Sequence, residues 1–408
     1  MDKTRIEGQK LDMHPARVAH WLAAKDEWET AKNIFPIYME VSPVGVCNHE
    51  CTFCSVDYML DREDAPRLEY TVLERALTDM AQQGLLSAMF AGAGEPLLYK
   101  DKATGKTLAD VIVHADTVGV DTAITTNAVL LTEKFAERAF QAKRLRWVRT
   151  SLNAGDRETY AAIHRTKPED FDTVLRNLEN AVKIRERIGA RVQILAQIVV
   201  VPEAQGKRRR SLLQENYPSN IHTVLPLATR LRDIGVDNLA VKPYKQHLVE
   251  KDVSRSNMYA TVAYDQISKM FDDVEALETD QFEITIRRET MAHEDSAERG
   301  YKACYSTPYH WAYIEADGEL WACSAHVGRV EHGKELGDHR FRLGNVNELS
   351  FMDIWHGERR KACWEYTRKS PAEGGLDVDT CMRGCQMDMP NRYLWDLMNP
   401  EPTRSFIK

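Results

Sequence analysis

Eight consecutive residues, Cys47-Asn48-His49-Glu50-Cys51-Thr52-Phe53-Cys54, constrain this chain more than any other stretch. They hold three thiols at C-x3-C-x2-C spacing, directly after a strand-like run, Ile37-Tyr38-Met39-Glu40-Val41. Three thiolates can hold three corners of a 4Fe–4S cluster, which leaves the fourth iron open to another ligand. Two other readings compete. A structural zinc site wants four closed ligands, and His49 is the nearby candidate for the fourth. Its position between the first two cysteines makes a tetrahedron awkward. Three unrelated buried thiols are the other reading, and eight cysteines in 408 residues argue against such clustering by chance.

The stretch resembles the cluster motif of radical S-adenosylmethionine (SAM) enzymes, including the aromatic Phe53 just before the third cysteine. The resemblance implies that Cys47, Cys51 and Cys54 ligate a 4Fe–4S cluster whose open iron chelates the amino and carboxylate groups of SAM. It also implies the chemistry. An electron from the cluster cleaves SAM to methionine and a 5′-deoxyadenosyl radical, and that radical abstracts a hydrogen atom from the substrate.

The length allows two domains, or one barrel with an appendage. A hydrophobic content of 43% supports ordinary globular cores. The formal charge of −8 argues against a broad nucleic-acid-binding surface. No apolar run approaches the ~18 residues that span a bilayer; the stretch around Ile194–Val201 is shorter and contains Gln197. The first residues, MDKTRIEGQK, lack the apolar core of a signal peptide. The cysteines are therefore expected in a reducing compartment, where metal ligation outweighs disulfides, and the protein is expected in the cytoplasm, with no nucleic-acid or membrane partner.

Residues 1–36 read as a short helical leader. From Ile37 to about Tyr244, strand and helix patterns alternate. The strand candidates are Ile37–Val41, Leu86–Ala91, Asp121–Thr125, Trp147–Leu152, Val192–Val200 and Asn238–Lys242. Helical patterns lie near Tyr70–Gln82, Leu108–Thr117, Thr132–Gln141, Phe171–Ile188 and Ile221–Ile234, the fourth with an apolar face of Val174, Leu175, Leu178, Val182 and Ile188. Six β/α repeats imply an α/β fold with a parallel sheet. They are too few for a closed eight-stranded barrel and match the partial (β/α)6 TIM-like barrel of radical SAM enzymes. The expected division is a leader (1–36), a barrel core (37–250), a bridge (251–300) and a small auxiliary-cluster domain (301–408).

In β/α folds chemistry gathers at the carboxyl ends of the strands, and the other candidates fall there. Strand two ends in Ala91-Gly92-Ala93-Gly94-Glu95-Pro96. Its small residues let backbone approach a ligand, and Glu95 can accept hydrogen bonds from an ammonium group. The segment resembles the family's Gly-Gly-Glu-Pro stretch, with Ala93 in place of a glycine, so Gly92, Gly94, Glu95 and Pro96 are candidates for SAM binding. Strand three ends in Thr125-Thr126-Asn127 and strand four in Ser151-Leu152-Asn153. Their short polar side chains suit ribose hydroxyls or a carboxylate, or plain capping. Arg165 is a candidate partner of the SAM carboxylate, or a solvated arginine. Val200, at the end of strand five, is a candidate adenine contact. Lys242 and Tyr244 are expected at the barrel mouth. The run Lys207-Arg208-Arg209-Arg210 reads as a solvated loop, the alternative being an anchor for a phosphorylated or nucleotide-linked substrate.

A second cysteine group follows. Cys304 and Cys323 frame a hairpin, Trp311–Glu315 and Glu319–Ala322, around Ala316-Asp317-Gly318. Thirteen residues separate Cys304 from Gly318, and four separate Gly318 from Cys323. Cys381 and Cys385 come later at C-x3-C. Four thiols suffice to close a cluster; zinc, or a mixture of buried and free thiols, also fits. The segment resembles the SPASM or twitch auxiliary-cluster domain in its C-x(9–15)-G-x4-C opening, in Leu343-Gly344-Asn345-Val346 and in Asp353-Ile354-Trp355. The central C-x2-C-x5-C part of the full pattern is missing. The resemblance thus implies one auxiliary 4Fe–4S cluster on Cys304, Cys323, Cys381 and Cys385. Cys363 is left over, either as a small buried residue, as a displaced ligand, or as a hydrogen-atom donor to a substrate radical.

The leading expectation is a radical SAM oxidoreductase acting on a small molecule. A fully ligated auxiliary cluster offers a place for an electron to go, which favours dehydrogenation of a sugar, aminocyclitol or nucleoside-like compound, with epimerisation next. The alternative is maturation of a ribosomally made peptide by crosslinking, thioether formation or epimerisation; residues 1–36 are short for a leader-binding domain, which tilts the expectation to small molecules. A non-catalytic electron carrier is the third reading, opposed by the open three-cysteine loop. A flavodoxin or ferredoxin is the expected reductant.

Overall fold

The structure, a computed structural model, describes residues 10–54, 63–201, 203–207, 214–243, 264–288, 291, 299–327, 330–331, 334–335, 339–381 and 385–401. The strands are β1 (Tyr38–Val41), β2 (Ser87–Phe90), β3 (Asp121–Thr126), β4 (Leu145–Ser151), β5 (Gln193–Val200), β6 (Ala204–Lys207), β7 (Gln214–Tyr217), β8 (Asn238–Pro243), β9 (Glu283–Ile286), β10 (Trp311–Ile314), β11 (Glu319–Trp321), β12 (Val330–Glu331), β13 (Lys334–Glu335) and β14 (Arg342–Asn345). Ten of them form one sheet in the order β14-β11-β10-β1-β2-β3-β4-β5-β8-β9. Pairs β6–β7 and β12–β13 are separate two-stranded hairpins.

All six predicted strands are present, and every ladder from β10 through β9 is parallel. The sheet gains a parallel strand at each flank beyond the six repeats. On one side β9 pairs with β8, with Leu239 opposite Ile284. On the other, β10 pairs with β1, with Tyr38 opposite Trp311. The outer strands of the sheet, β14 and β9, do not pair with each other, so the barrel stays open. The hairpin of the C-terminal cysteine segment is therefore a continuation of the barrel sheet. β1 needs a partner on its free side, and the segment supplies it.

Side chains alternate across each strand. Met39 and Val41 of β1 are buried in the main core, while Tyr38 and Glu40 are half-buried on the inner face. The covering helices follow the expected patterns. Helix Tyr70–Gln82 buries Tyr70, Val72, Leu73, Ala76, Leu77 and Met80. Helix Leu108–Thr117 opens with a capping box between Thr107 and Asp110. Helix Glu169–Ile188 buries Val174, Leu178 and Val182 and ends at Gly189, in the left-handed conformation. Ile188, read as part of its apolar face, is exposed at the last helical position.

The N-terminal helices Pro15–Ala24 and Trp28–Ala31 pack on the C-terminal segment in a second core containing Trp21, Ile34, Tyr309, Trp364 and Leu394. Among the described residues, no helix is long and apolar enough to cross a membrane. Tyr244 and Arg208–Arg210 lie outside the described residues.

Candidate active site

The Cys47–Cys54 loop leaves β1 and is fixed against the end of helix Arg157–His164. The Glu50 N–H donates to the His164 carbonyl at 3.2 Å, and the Thr52 N–H to the Ile163 carbonyl at 2.8 Å. Cys51 Sγ lies 3.1 Å from His164 Nδ1, and His164 Nε2 lies 3.0 Å from the Leu152 carbonyl. Burial, with His49 beside it, pushes the His164 pKa down to about 3, so the ring is neutral. His49 is buried as well, its Nε2 3.6 Å from Asp170 Oδ2. Donor atoms of His49, Cys51 and His164 come within 4.8 Å of one another.

The three thiols are gathered. Burial raises the Cys51 thiol well above its usual pKa, and Cys54 and Cys47 add to the rise. Burial, then the Glu95 carboxylate, raises Cys47 to about 11. Thiols that each hinder the other's ionisation are what a bound cation or cluster relieves. No cysteine of the eight is in a disulfide.

The Gly92–Pro96 turn follows β2 and packs against the segment that leads from β1 into the thiol loop. Gly92 has φ +121°, and a Cβ there would sit 2.6 Å from Ser42 Cβ. A Cβ on Gly94 would meet the Val44 and Val46 carbonyl oxygens at 2.1 and 2.7 Å. The chain passes so close because the Glu95 N–H donates to the Val46 carbonyl at 2.8 Å. The Glu95 carboxylate is buried. It accepts from Thr126 Oγ1 at 2.6 Å, the Asn127 N–H at 2.8 Å and the Leu97 N–H at 3.0 Å. Burial raises its pKa and those donors oppose the rise. Glu95 thus pins the end of β2 to the end of β3, and an ammonium group would share oxygens already engaged. Pro96 opens a short buried 3-10 turn. Asn127 reaches back to the cysteine loop, its Nδ2 donating to Asn48 Oδ1 at 2.8 Å.

Ser151 and Asn153 stand at the end of β4. Gln197 Nε2 donates to Ser151 Oγ at 2.8 Å, and Lys242 Nζ to Gln197 Oε1 at 2.6 Å. Asn153 accepts the Val199 N–H at its Oδ1, while its buried Nδ2 has no acceptor. That orphaned donor at the end of β4 fits a cofactor that brings oxygen atoms. Arg165 caps helix Arg157–His164 at φ +48° and lies near enough to Cys51 to lower its thiol pKa. Ala128, Asn153 and Arg165 are three of the four non-glycine residues with positive φ among those described. Strain of this kind concentrates where the fold is held for function.

Val200 is corrected by strand alternation. Gln197 faces inward, so Val200 faces the helices and is packed in the main core. Val199 occupies the inner face that the adenine reading requires. Cys363 is fully buried on helix Glu358–Arg368, within the main core. That burial favours the reading of Cys363 as a small core residue.

The second set of thiols is also brought together. Burial raises Cys323 strongly, followed by Cys385, Cys304 and Cys381. Cys385 is pushed up to about 11 by burial and Cys304. His326 Nε2 lies 3.2 Å from Cys381 Sγ, and Asn391 Nδ2 lies 3.6 Å from Cys304 Sγ. The hairpin glycine is explained by contact. At Gly318, φ +88°, a Cβ would collide with Asn347 Nδ2 at 2.1 Å and Asn345 Oδ1 at 2.5 Å. A Cβ on Gly344 would press on Ile354 at 3.0 Å. Sequence reading missed His164, His326, Asn391 and the buried Arg299–Asp388–Tyr301 group beside Cys385. Their partners lie tens of residues away, and no local pattern marks them.

Unbridged thiols in such sets can hold iron–sulfur clusters: three leave a coordination place open, and four close one. Comparison with known proteins agrees. Residues 41–211 match the model of the radical SAM superfamily. Residues 304–386 match SPASM, an iron-sulfur cluster-binding domain. The chain thus holds a radical SAM domain followed by a C-terminal SPASM domain. Such a protein carries a 4Fe–4S cluster with SAM and an auxiliary cluster.

Among curated relatives, it is 26% identical to the GTP 3′,8-cyclase of Shewanella denitrificans over 52% of this chain and 56% of that protein. It is 36% identical to the PqqA peptide cyclase of Bradyrhizobium diazoefficiens over 23% of each. The chain thus spans well under two thirds of these relatives. Among solved structures, Streptococcus suis SuiB bound to precursor peptide SuiA superposes with a TM-score of 0.57 at 18% identity, over 92% of this chain and 80% of that one. Native anSMEcpe with bound AdoMet gives 0.53 at 15%, over 89% and 98%. These likenesses concern the fold.

Proposed function

We propose that this protein modifies a peptide by hydrogen-atom abstraction, with Cys47, Cys51 and Cys54 holding the SAM-binding cluster and Cys304, Cys323, Cys381 and Cys385 the auxiliary one. When bound, the first cluster and SAM supply a 5′-deoxyadenosyl radical, and the second supplies an electron acceptor. Ser151, Asn153 and Asn127 offer short polar contacts to SAM, and Arg165 a charge for its carboxylate. Backbone at Gly92 and Gly94 lets the cofactor lie close.

The observation that carries the reading is one cavity of about 1650 Å³ that both parts of the chain line. The barrel contributes Tyr38, Trp147 and Arg149, and the auxiliary segment contributes Ser306 and Met387, next to its cysteines. A chamber of this size exceeds what a drug-sized ligand needs and suits a length of peptide. The peptide cyclase among the relatives supports the same reading. The sugar, aminocyclitol or nucleoside-like substrate, expected from a fully ligated auxiliary cluster and from the shortness of residues 1–36, becomes the second reading. A leader-binding module can come from another chain.

The test uses anaerobically reconstituted protein under strong chemical reduction, supplied with a fully deuterated cell extract split into peptides and small molecules. Label should enter 5′-deoxyadenosine from the peptide fraction. Label from the small-molecule fraction alone would contradict the peptide reading, and no SAM cleavage at all would restore the electron-carrier reading. A flavodoxin or ferredoxin is the proposed electron donor. Cleavage that no such carrier supports would count against it.

A further inference from the structure

The cavity lining carries cations and anions in nearly equal number, and three of the cations stand on or beside its strands. Arg149 on β4, Lys242 on β8 and Arg287 just past β9 all line the chamber. At its rim the charges are neutralised: Arg146 pairs with Asp121 at 2.8 Å, and Arg185 pairs with Asp237. Arg149 differs. Among the described residues it makes no ion pair and no hydrogen bond, and its Nε is buried without an acceptor. Its guanidinium sits 4.4 Å from the centre of the Trp147 ring. The charged neighbours that bear on it are Arg287, which repels it, and the Tyr38 hydroxyl.

A half-buried guanidinium whose Nε is shut off from water and that meets no anion among the described residues is costly. Burial lowers its pKa only to about 10, so it is still a cation at neutral pH. A fold that only needed to fill this place would use an apolar side chain.

We propose that Arg149 is the centre of an anion site that receives a carboxylate of the substrate. The proposal rests on the peptide reading above for the molecule that brings the carboxylate. The wall between the cations includes Met89, Trp147 and Leu195. Such a lining suits a carboxylate on a hydrocarbon stem. The two sources on a peptide are an acidic side chain and the C-terminal carboxylate. Planar two-point recognition is what a guanidinium offers such a group.

The experiment measures binding to the reconstituted protein with SAM present, in wild type and Arg149→Gln. Four probes are used: a blocked pentapeptide with a central Glu among alanines, its Gln counterpart, the Gln peptide with a free C-terminal carboxylate, and glutarate. The Glu peptide should bind wild type about tenfold or more tighter than the Gln peptide, and the difference should vanish in Arg149→Gln. The same gain on freeing the C-terminus instead would assign the site to a peptide end. Arg149-dependent binding of glutarate without any peptide binding would support the anion site and sink the peptide reading. Equal binding of Glu and Gln peptides with no effect of Arg149→Gln would overturn the anion site and leave the peptide reading standing. No Arg149-dependent binding of any probe overturns it too. Thermal unfolding of Arg149→Met closes the structural explanation. Its melting temperature should equal or exceed that of wild type, and a fall of several degrees would make Arg149 structural and overturn the proposal.

Discussion

Gly94 shows how tightly single residues are held at the thiol loop. A methyl group there meets two carbonyl oxygens of the backbone rather than a movable side chain. Gly94→Ala should cost about 3 kcal/mol or more and lower the iron bound at the first site. Gly105→Ala is the control, because its φ is +71° with open space around the added carbon. It should cost about 1 kcal/mol from backbone strain alone. Chemical denaturation of both variants checks the contrast, and equal losses would refute it. At this scale the cysteines and glycines were legible because the motif spacing is local. The inner partners were not. Thr126 and Asn127 looked like cofactor contacts, whereas the structure also uses them to hold the Glu95 carboxylate. Asn391 bonds the N–H groups of Tyr305 and Ser306, both at 2.8 Å, from 86 and 85 residues away, beyond any periodicity.

Among elements, the joint between the N-terminal helices and the C-terminal segment turns on Arg360. Its guanidinium, fully buried, donates to five backbone carbonyls, those of Pro308, Lys32, Trp355, Ala31 and Ile34, at 3.0 to 3.4 Å. All five of its N–H groups are thereby used. It also lies over the Trp355 ring, 3.9 Å from the centre. Arg360→Leu removes all five of these bonds, although Ile34 keeps the Trp355 Nε1 donor and Ala31 the Ile34 N–H, and should destabilise the fold by about 3 kcal/mol or more. Denaturation monitored by tryptophan fluorescence measures this, and a loss below about 1 kcal/mol would show that the N-terminal helices are held by apolar packing alone. The six barrel strands were legible because parallel strands carry apolar runs between turn signals. The pairing of β10 with β1 was not, since nothing near Trp311 names a partner more than 270 residues earlier. Alternation also decides what a run of valines cannot: Val200 looks outward because Gln197 looks in.

For the molecule as a whole, the sheet is the connection between the two thiol sites. β1 delivers the first three cysteines at its carboxyl end, and β10, paired to it, carries the hairpin that leads to Cys323. The order of the motifs along the chain made the two sites legible in the sequence. The chamber was not, because its walls come from eight parallel strands whose inner residues are individually unremarkable. The central claim is that two separate clusters are held by two separate sets of cysteines. Iron and sulfide should be counted in anaerobically reconstituted wild type and in Cys47→Ala/Cys51→Ala/Cys54→Ala. The account predicts about eight irons in the first and about four in the second, because each cubane holds four. About four irons in the wild type and none in the variant would contradict it, and the C-terminal thiols would then need zinc or a purely structural role.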